Sequence, residues 1–317
     1  MSKLKQPIVN ILIPCYNQEG VICQAVESAL MQSYDNCKVI ISDDNSSDNT
    51  LNALEKYKDN PKVVVYCNES NLGRLGNYKK LLYKYCDSEY AVNLDGDDYY
   101  LTDKFIEDSM SAILKYDNIV FAVSNQHYGK LDRFNKWRSK KFRMITGEDF
   151  VFNFYGISKF THLGSVYKVS EARKVDFYAD NIISSDADSF LKLALLGDVM
   201  VRSYKVGMWR KHDLNESTES QIQKKYDNVQ VLTGNLTTHV KKNYPQYVDK
   251  LPNWRRKITV QYLFPMITRS IIAKNNVESK FVWEKIKMNH KSQFLSWYFP
   301  LYAIKRTAQI VFRAIVS

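Results

Sequence analysis

Short apolar runs alternate with helical patterns along the first 115 residues. The apolar runs have strand length and are residues 7–14, 37–44, 62–67 and 89–95. The helical patterns between them are residues 18–31, 48–58, 71–86 and 102–115. Ser47 or Asp48 is a suitable start for the second helix. This alternation predicts βαβ units and an α/β fold with a mostly parallel sheet flanked by helices.

The alternation changes in the second half of the chain. Residues 126–147 are polar, basic and aromatic, and we expect a mobile insertion near the functional site. Residues 161–170 predict a further strand, and residues 184–198 predict a helix with Gly197 near its end. Beyond about residue 220 the sequence is helical and rich in Tyr, Trp and Lys. We therefore expect a domain over residues 1–220 and a helical, basic C-terminal region over residues 221–317.

Two acidic clusters follow two of the predicted strands. "SDDNSSD" follows the second strand, and "DGDD", which contains Asp95, Asp97 and Asp98, follows the fourth. Ligands of such sheets bind beyond the carboxyl ends of the strands, so both clusters should face one crevice. Carboxylates crowded at the end of a buried strand repel one another unless a cation joins them. The alternative is a solvated acidic turn, which is common in proteins.

The net charge of +11 is distributed unevenly. Residues 201–317 hold 21 Lys/Arg against 7 Asp/Glu, whereas the first 200 residues carry a slight negative balance. This asymmetry indicates that one face of the molecule meets an anionic partner. The five cysteines have no CxxC spacing and are expected to be reduced thiols of a cytoplasmic protein. We identify neither a signal peptide nor an apolar run of membrane-spanning length.

Several motifs in order resemble glycosyltransferase family 2, over roughly residues 7–215. They are "ILIPCYNQE", "ISDDNSSDNT" with Asn45 in place of the usual glycine, "NLGRLGNYK", "LDGDDYY", "SDADSFLKL" and "WRKHDLNES". The resemblance implies the GT-A fold, a Rossmann-like nucleotide-diphospho-sugar transferase. It also implies inverting transfer from a UDP-sugar, with Mn²⁺ or Mg²⁺ as cofactor, to a glycan acceptor that is lipid-linked in many similar enzymes.

The resemblance also assigns roles to individual residues. The implied donor-binding residues are Pro14, Tyr16, Glu19, Asp44, Arg74, Asp95, Asp97 and Arg210. The implied metal ligands are Asp97, Asp95 and His212. Tyr16 would stack on uracil and Asp44 would accept its ring N–H. Asp186 corresponds to the catalytic base, although Ser185 stands where the family has Glu, so Asp188 is a substitute candidate.

Each of these residues also has a structural interpretation. Tyr16 alone is more often a packing residue, and Asp44 is more often a turn or cap residue. Asp186 would favour the dipole of the helix that it begins. His212 is as well explained as a loop residue. A metal remains the better interpretation of the DGDD cluster, because it ends a buried strand within this order of motifs.

The last 17 residues, 301–317, form an amphipathic pattern when they are projected on a helix. Lys305, Arg306, Gln309 and Arg313 fall on one side, opposite an apolar side. That geometry is typical of a helix at a membrane surface, and the basic residues upstream would attract anionic lipids. This predicts peripheral association with the inner face of the cell membrane. Packing of the helix onto the domain and a homo-oligomer interface are the alternatives.

Three other functions are considered. A non-catalytic membrane scaffold with a degenerate site is compatible with Ser185, but the retained Asp44, Asp97 and Asp186 argue against it. A basic nucleic-acid-binding protein would fit the charge of the tail, yet no nucleic-acid module is recognisable and we expect no nucleic acid partner. A dehydrogenase or nucleotidyltransferase lacks support, because neither GxGxxG nor a P-loop is present.

Overall fold

The computed structural model describes residues 6–128, 141–154, 161–210, 222–272, 280–281 and 284–285. Contacts divide the chain into two units. The first comprises Met1–Asn181 and Ser185–Leu214, and the second comprises Ile182–Ser184 and Asn215–Ser317. The domain boundary predicted at residue 220 and most of the predicted insertion lie outside the described residues.

The strands of the described residues form one sheet. They are β1 (Val9–Cys15), β2 (Cys37–Asp43), β3 (Val63–Cys67), β4 (Tyr90–Asn93), β5 (Tyr99–Tyr100), β6 (Ile119–Tyr128), β7 (Arg143–Ile145), β8 (Ser165–Lys168) and β9 (Asp198–Trp209). Their order across the sheet is β3-β2-β1-β4-β8-β6-β9-β5, and β7 pairs with β9.

The helices of the described residues lie between and after these strands. They are α1 (Ile22–Leu30), α2 (Thr50–Leu54), α3 (Gly73–Lys80), α4 (Phe105–Ile113), α5 (Gly147–Asp149), α6 (Val169–Lys174), α7 (Ser185–Ala194), α8 (Ile222–Asn243) and α9 (Leu251–Ile272). Three 3₁₀ turns (Glu55–Tyr57, His162–Gly164 and Pro245–Lys250) and two π-helical segments (Leu81–Tyr85 and Phe150–Phe154) complete them.

The parallel arrangement predicted from the alternation is found among β1 to β4. β1 pairs in parallel with β2 and β4, and β2 pairs in parallel with β3. The other half of the sheet is mixed: β8 is antiparallel to both β4 and β6, while β6 and β9 are parallel. Parallel pairs need crossover connections, which the helices between β1 and β4 provide. As a result, β1, β2 and β4 end at the same edge of the sheet.

The central position of β1 in the sheet explains why its sequence is mostly apolar. Every residue of β1 is buried, because it lies between β2 and β4 and helices cover its faces. Ile11, Ile13, Val39 and Ile41 belong to one buried cluster with the apolar face of α1. This rigid centre carries the loops that follow β1, β2 and β4.

The second unit is helical in its described part. The buried residues Val229, Leu232, Leu236 and Val240 of α8 recur at helical spacing, and α8 packs against α9. Asn228, one residue before these apolar positions of α8, makes two hydrogen bonds with Ser184. Its Oδ1 accepts the Ser184 N–H at 3.0 Å, and its Nδ2 donates to Ser184 Oγ at 2.9 Å. Among the described residues, no helix is both long enough and apolar enough to cross a membrane. The amphipathic segment 301–317 lies outside the described residues.

Candidate functional site

Asp44 lies just beyond the end of β2 and is 2% exposed. Its Oδ1 accepts two hydrogen bonds, from Asn68 Nδ2 at 2.7 Å and from the Leu72 N–H at 2.9 Å. Asn77 orients Asn68, because its Oδ1 accepts from Asn68 Nδ2 at 3.2 Å and its Nδ2 donates to Ser42 O at 2.8 Å. The carboxylate is therefore fixed through one oxygen, and its other oxygen is the acceptor available for a ligand.

Two residues with positive φ shape the loops on either side of Asp44. Asn17 has φ of 51° and Asn45 has φ of 62°, in the left-handed region. Asn is one of the few residues other than Gly that enters this region readily, which explains how Asn45 replaces the glycine of the family motif. The loops are joined where the Asn17 N–H donates to Ser46 Oγ at 2.9 Å and the Ser47 N–H donates to Asn17 Oδ1 at 2.8 Å. Tyr16 directly follows β1, at the start of the first of these loops. It is 46% exposed, so its ring faces solvent.

The acidic motif forms a tight turn directly after β4. The Gly96 N–H donates to Pro14 O at 3.1 Å, and the Asp98 N–H donates to Asp95 O at 2.9 Å. The turn brings one carboxylate oxygen of each of Asp95, Asp97 and Asp98 within 4.8 Å of one another. Oxygen donors in such a group suit hard cations such as Mg²⁺ or Mn²⁺. The residues present thus fit the metal site that the sequence predicts.

The three carboxylates of this turn are not equivalent. Asp98 is 2% exposed, and burial raises the pKa of its carboxyl well above the usual range, with further contributions from the charges of Asp95 and Asp97. Its Oδ1 accepts the Arg210 N–H at 2.8 Å, and Arg210 Nε donates to Asp97 O at 2.8 Å. Arg210, one residue after β9, therefore secures the turn. Asp98 is a supporting group, which leaves Asp95 and Asp97 as the principal charged groups.

Asp95 is held from behind by two aromatic residues. The Tyr78 hydroxyl donates to Oδ1, and His162 Nε2 lies 3.2 Å from Oδ2. Burial alone would raise the pKa of Asp95, but the charge of His162 and the hydrogen bonds from His162 and Tyr78 lower it below its ordinary value. Burial also opposes the charged form of His162, whose pKa is nevertheless raised, chiefly by the charge of Asp95. The pair therefore favours an ionised Asp95.

Asp186 lies in the first turn of α7 and is partly buried. Its Oδ1 accepts the N–H of Ala187 at 2.8 Å, and its negative charge contributes to the raised pKa of His162. Asp188 differs, because it is 2% exposed and its Oδ2 lies 2.5 Å from Nζ of Lys192. A buried carboxylate that is paired with a lysine one turn along the helix is a poor proton acceptor. The geometry thus favours Asp186 over Asp188 as the candidate base.

The remaining predicted site residues have different surroundings. The Glu19 carboxylate accepts the Asn49 N–H at 2.8 Å, so it helps to join the loops after β1 and β2. The guanidinium carbon of Arg74 lies 5.8 Å from the centre of the Tyr78 ring, and its positive charge helps to lower the pKa of Asp95. His212 lies outside the described residues, and its role as a ligand stays a prediction.

Sequence reasoning missed several residues of this site. Tyr78 and Asn77 lie in the motif "NLGRLGNYK" and His162 lies in the predicted strand 161–170, whereas Asn68 lies between two predicted elements; none of the four was assigned a role. One signal was available for Tyr78: it follows Arg74 by four residues, so both face the same side of a helix. His162 had no such signal, because only the pairing of β8 with β4 brings its turn to Asp95.

Gly96 is needed because the acidic turn packs closely on the loop after β1. A Cβ at this position would lie 2.2 Å from Gln18 Oε1, 2.9 Å from Ile22 Cδ1 and 3.0 Å from Cys15 Cβ. We expect Gly96→Ala to destabilise the fold by about 1–3 kcal/mol, the usual cost of overpacking, and to weaken Mn²⁺ binding because the turn must shift. Thermal unfolding and Mn²⁺ titration measure the two effects.

Gly20→Ala is the matched control, since nothing lies within 4 Å of a Cβ built there. It should leave both the melting temperature and the Mn²⁺ affinity close to the wild-type values. Equal behaviour of the two variants would contradict the requirement for glycine in the acidic turn.

The chain is similar in sequence to known glycosyltransferases. The profile of "Glycosyl transferase family 2" matches residues 10–175. Two Escherichia coli proteins, both described as UDP-Glc:alpha-D-GlcNAc-diphosphoundecaprenol beta-1,3-glucosyltransferases, are similar in sequence. WfaP is 33% identical over 39% of this chain and 47% of its own length, and WfgD is 34% identical over 37% and 45%. The chain thus spans about half the length of these curated relatives.

Solved structures with low sequence identity share the fold. Residues 1–349 of S. aureus TarS, crystallised with UDP-GlcNAc, match with a TM-score of 0.57 at 16% identity, covering 88% of this chain and 91% of that one. The mannosyltransferase PcManGT from Pyrobaculum calidifontis, in complex with GDP-Man and Mn²⁺, has a TM-score of 0.57 at 12% identity, covering 97% and 86%. The predicted GT-A type of α/β fold is confirmed.

Proposed function

The chain belongs to glycosyltransferase family 2, and from this we propose that it is an inverting, metal-dependent enzyme that uses a UDP-sugar. The sugar moved is a hexose or an N-acetylhexosamine, and its acceptor is a hydroxyl group of a glycan. The observation that carries the proposal is the placement of Asp44 and the Asp95/Asp97/Asp98 group after β2 and β4, which lie on either side of β1. A base acceptor and a cation site at one sheet edge suit a nucleoside diphosphate.

The donor nucleotide would bind through three kinds of contact. Tyr16 offers an exposed ring for stacking on uracil, and the second oxygen of Asp44 accepts the ring N–H. Asp97 and Asp95, with His212 as a further ligand, would hold Mn²⁺ or Mg²⁺, which supplies Lewis-acid stabilisation of the departing diphosphate. Arg74 supplies positive charge beside Asp95.

The proposed proton acceptor is Asp186. In an inverting displacement the acceptor hydroxyl attacks the anomeric carbon as the bond to the diphosphate breaks, so its proton must leave during the attack. A carboxylate near the acceptor takes that proton as a general base. Asp186 would act without the acidic neighbour that is usual in the family, because Ser185, an uncharged residue that is 1% exposed, stands in its place.

We further propose that the acceptor is a lipid-linked glycan in polysaccharide biosynthesis and that the enzyme works on the inner face of the cell membrane. Two relatives are described as acting on diphosphoundecaprenol-linked GlcNAc, and the basic balance of residues 201–317 would attract anionic lipids.

A flotation assay with anionic vesicles tests the membrane association. The full chain should float, a chain that ends near residue 290 should float less, and equal behaviour would contradict the role of the tail.

Calorimetric titration with UDP, with and without Mn²⁺, tests the donor site. We expect Asp44→Asn to weaken UDP binding by about tenfold to a hundredfold, since a charge-assisted hydrogen bond contributes about 1.5–3 kcal/mol. Asp35→Asn, in the exposed turn before β2 at the opposite end of that strand, is the matched control and should bind UDP normally.

GDP serves as the competing nucleotide, since PcManGT was crystallised with GDP-Man. Preference for GDP would overturn the choice of base while preserving the transferase. Failure of wild type to bind any nucleotide, with or without Mn²⁺, would favour the scaffold interpretation.

A further inference from the structure

Four buried or partly buried side chains behind the acidic turn form one continuous group: Tyr78, Asp95, His162 and Tyr178. We propose that Tyr78, His162 and Tyr178 are positioning residues that fix the Asp95 carboxylate for the metal-bound donor. This inference rests on the proposed function and extends it to residues that lie behind the acidic turn. Hereafter the three aromatic residues are called the aromatic bracket.

The bracket engages both oxygens of Asp95. Oδ1 accepts from the Tyr78 hydroxyl and Oδ2 lies 3.2 Å from His162 Nε2, so rotation of the carboxylate would break both contacts. The side chain of Asp95 is still 27% exposed, which leaves lone pairs of both oxygens for a ligand in front of the turn. A carboxylate that is held in this way meets its ligand without first losing conformational freedom.

The three members of the bracket also hold one another. The rings of Tyr78 and Tyr178 stack with centroids 4.8 Å apart and an interplanar angle of 15°. The Tyr178 hydroxyl lies 3.3 Å from His162 Nδ1, and the rings of Tyr78 and His162 meet edge to face at 5.4 Å. Because one ring nitrogen of His162 contacts Tyr178 and the other contacts Asp95, the orientation of the imidazole is fixed from both sides.

Backbone strain at Tyr178 is an independent observation. Tyr178 has φ of 66°, a conformation that a bulky side chain rarely adopts. Such a conformation persists only where the surroundings enforce it, and it is concentrated at functional sites. Here the Tyr178 N–H donates to Ser189 Oγ at 2.8 Å, and Lys79 Nζ donates to Ala179 O at 3.1 Å. The fold thus holds a strained residue where its hydroxyl reaches His162.

The bracket also lies close to the candidate base. Burial is the main cause of the raised pKa of Tyr78 and of Tyr178, and Asp95 is the main cause for His162; the negative charge of Asp186 adds a smaller contribution to all three. One group of side chains therefore supports the donor carboxylate and lies within electrostatic reach of Asp186. A group that served only the core would not need to orient both oxygens of an ionised, partly exposed carboxylate.

The test compares Tyr78→Phe, His162→Leu, His162→Gln and Tyr178→Phe. We expect Tyr78→Phe and His162→Leu to raise the Kd for UDP in the presence of Mn²⁺, and the KM for the donor, by about tenfold or more, as the loss of groups that orient ligands usually does. His162→Gln should recover most of this loss, because the Gln amide can donate to Asp95 from the position of Nε2. Tyr178→Phe should have an intermediate effect.

Tyr167→Phe is the matched control. Its hydroxyl is equally buried but donates to Asn93 Oδ1 at 2.8 Å, away from Asp95. We expect it to lower the melting temperature as much as Tyr78→Phe does and to leave the Kd for UDP with Mn²⁺ and the donor KM unchanged.

The outcomes separate this inference from the proposed function. A wild-type protein that does not bind UDP with Mn²⁺ would overturn both. If the wild type binds UDP with Mn²⁺ and the Tyr78→Phe and His162→Leu variants have the same Kd and donor KM, the positioning role alone is overturned. Equal loss of binding in the Tyr167→Phe control, or no recovery with Gln at position 162, would assign the bracket to folding and also overturn the inference.

Discussion

Asp97→Asn is expected to lower sugar transfer by about a thousandfold and to remove the dependence of UDP binding on Mn²⁺. A bound divalent cation would contribute several kcal/mol to stabilisation of the departing diphosphate, and each 1.36 kcal/mol is a factor of ten in rate. We choose Asp97 because it corresponds to the metal-binding acid of the family motif, whereas Asp98 is buried with its Oδ1 bound to the Arg210 N–H. Activity assays and calorimetry with and without EDTA measure both effects.

Asp117→Asn is the matched control, since it makes the same chemical change in an exposed turn after α4. It should keep wild-type activity and Mn²⁺ dependence. If Asp97→Asn also kept them, the acidic turn would be a solvated loop, as the first alternative from the sequence holds. A loss confined to the melting temperature would lead to the same conclusion.

Asp186→Asn is expected to lower kcat by about 10²- to 10⁴-fold, the usual contribution of a general base, while the Kd for UDP stays within twofold of wild type. The amide cannot take the acceptor proton. It can still accept the Ala187 N–H through its oxygen, so the start of α7 should be preserved. Single-turnover kinetics with a saturating donor separates this loss from weaker binding.

Asp188→Asn tests the alternative that Asp188, and not Asp186, is the general base. This substitution breaks the buried ion pair with Lys192, so we expect a lower melting temperature and a smaller change in kcat than for Asp186→Asn. The reverse pattern, with kcat lost only in the Asp188→Asn variant, would exchange the roles of the two carboxylates. Unchanged kcat in both variants would contradict an aspartate base on α7.

Elements with a strong local signal were predicted well from the sequence. Helix α1 lies within its predicted range, and strand β1 ends one residue beyond the predicted 7–14, because a buried central strand is mostly apolar and a helix that packs on it is amphipathic. The mixed half of the sheet was not predicted. A strand such as Ser165–Lys168 has the same pattern whether its neighbours are parallel or antiparallel, and its pairing depends on distant parts of the chain.

The residues of the candidate site also differ in how much of their position could be predicted from the local sequence. Asp44, Asp95 and Asp97 were predicted to face one crevice because each follows a recognisable strand, and the parallel strands do end at one edge of the sheet. His162 and Tyr178 were not, since their roles arise from a 3₁₀ turn and a strained loop that leave no periodic pattern. Arg210 was predicted to bind the donor, and this stays a prediction; the structure adds its contacts with Asp97 and Asp98 of the acidic turn and with Gln24.

The pKa of Asp98 bears on the charge balance of the donor complex. Burial raises the pKa of the Asp98 carboxyl and disfavours its charge, whereas the contacts of Asp95 with His162 and Tyr78 favour its ionised form. Of the three carboxylates, those of Asp95 and Asp97 are only partly buried and would be the principal charged groups facing a divalent cation. A diphosphate that arrives with such a cation would meet less repulsion from the turn, because the cation offsets the carboxylates and Arg74 adds positive charge beside Asp95.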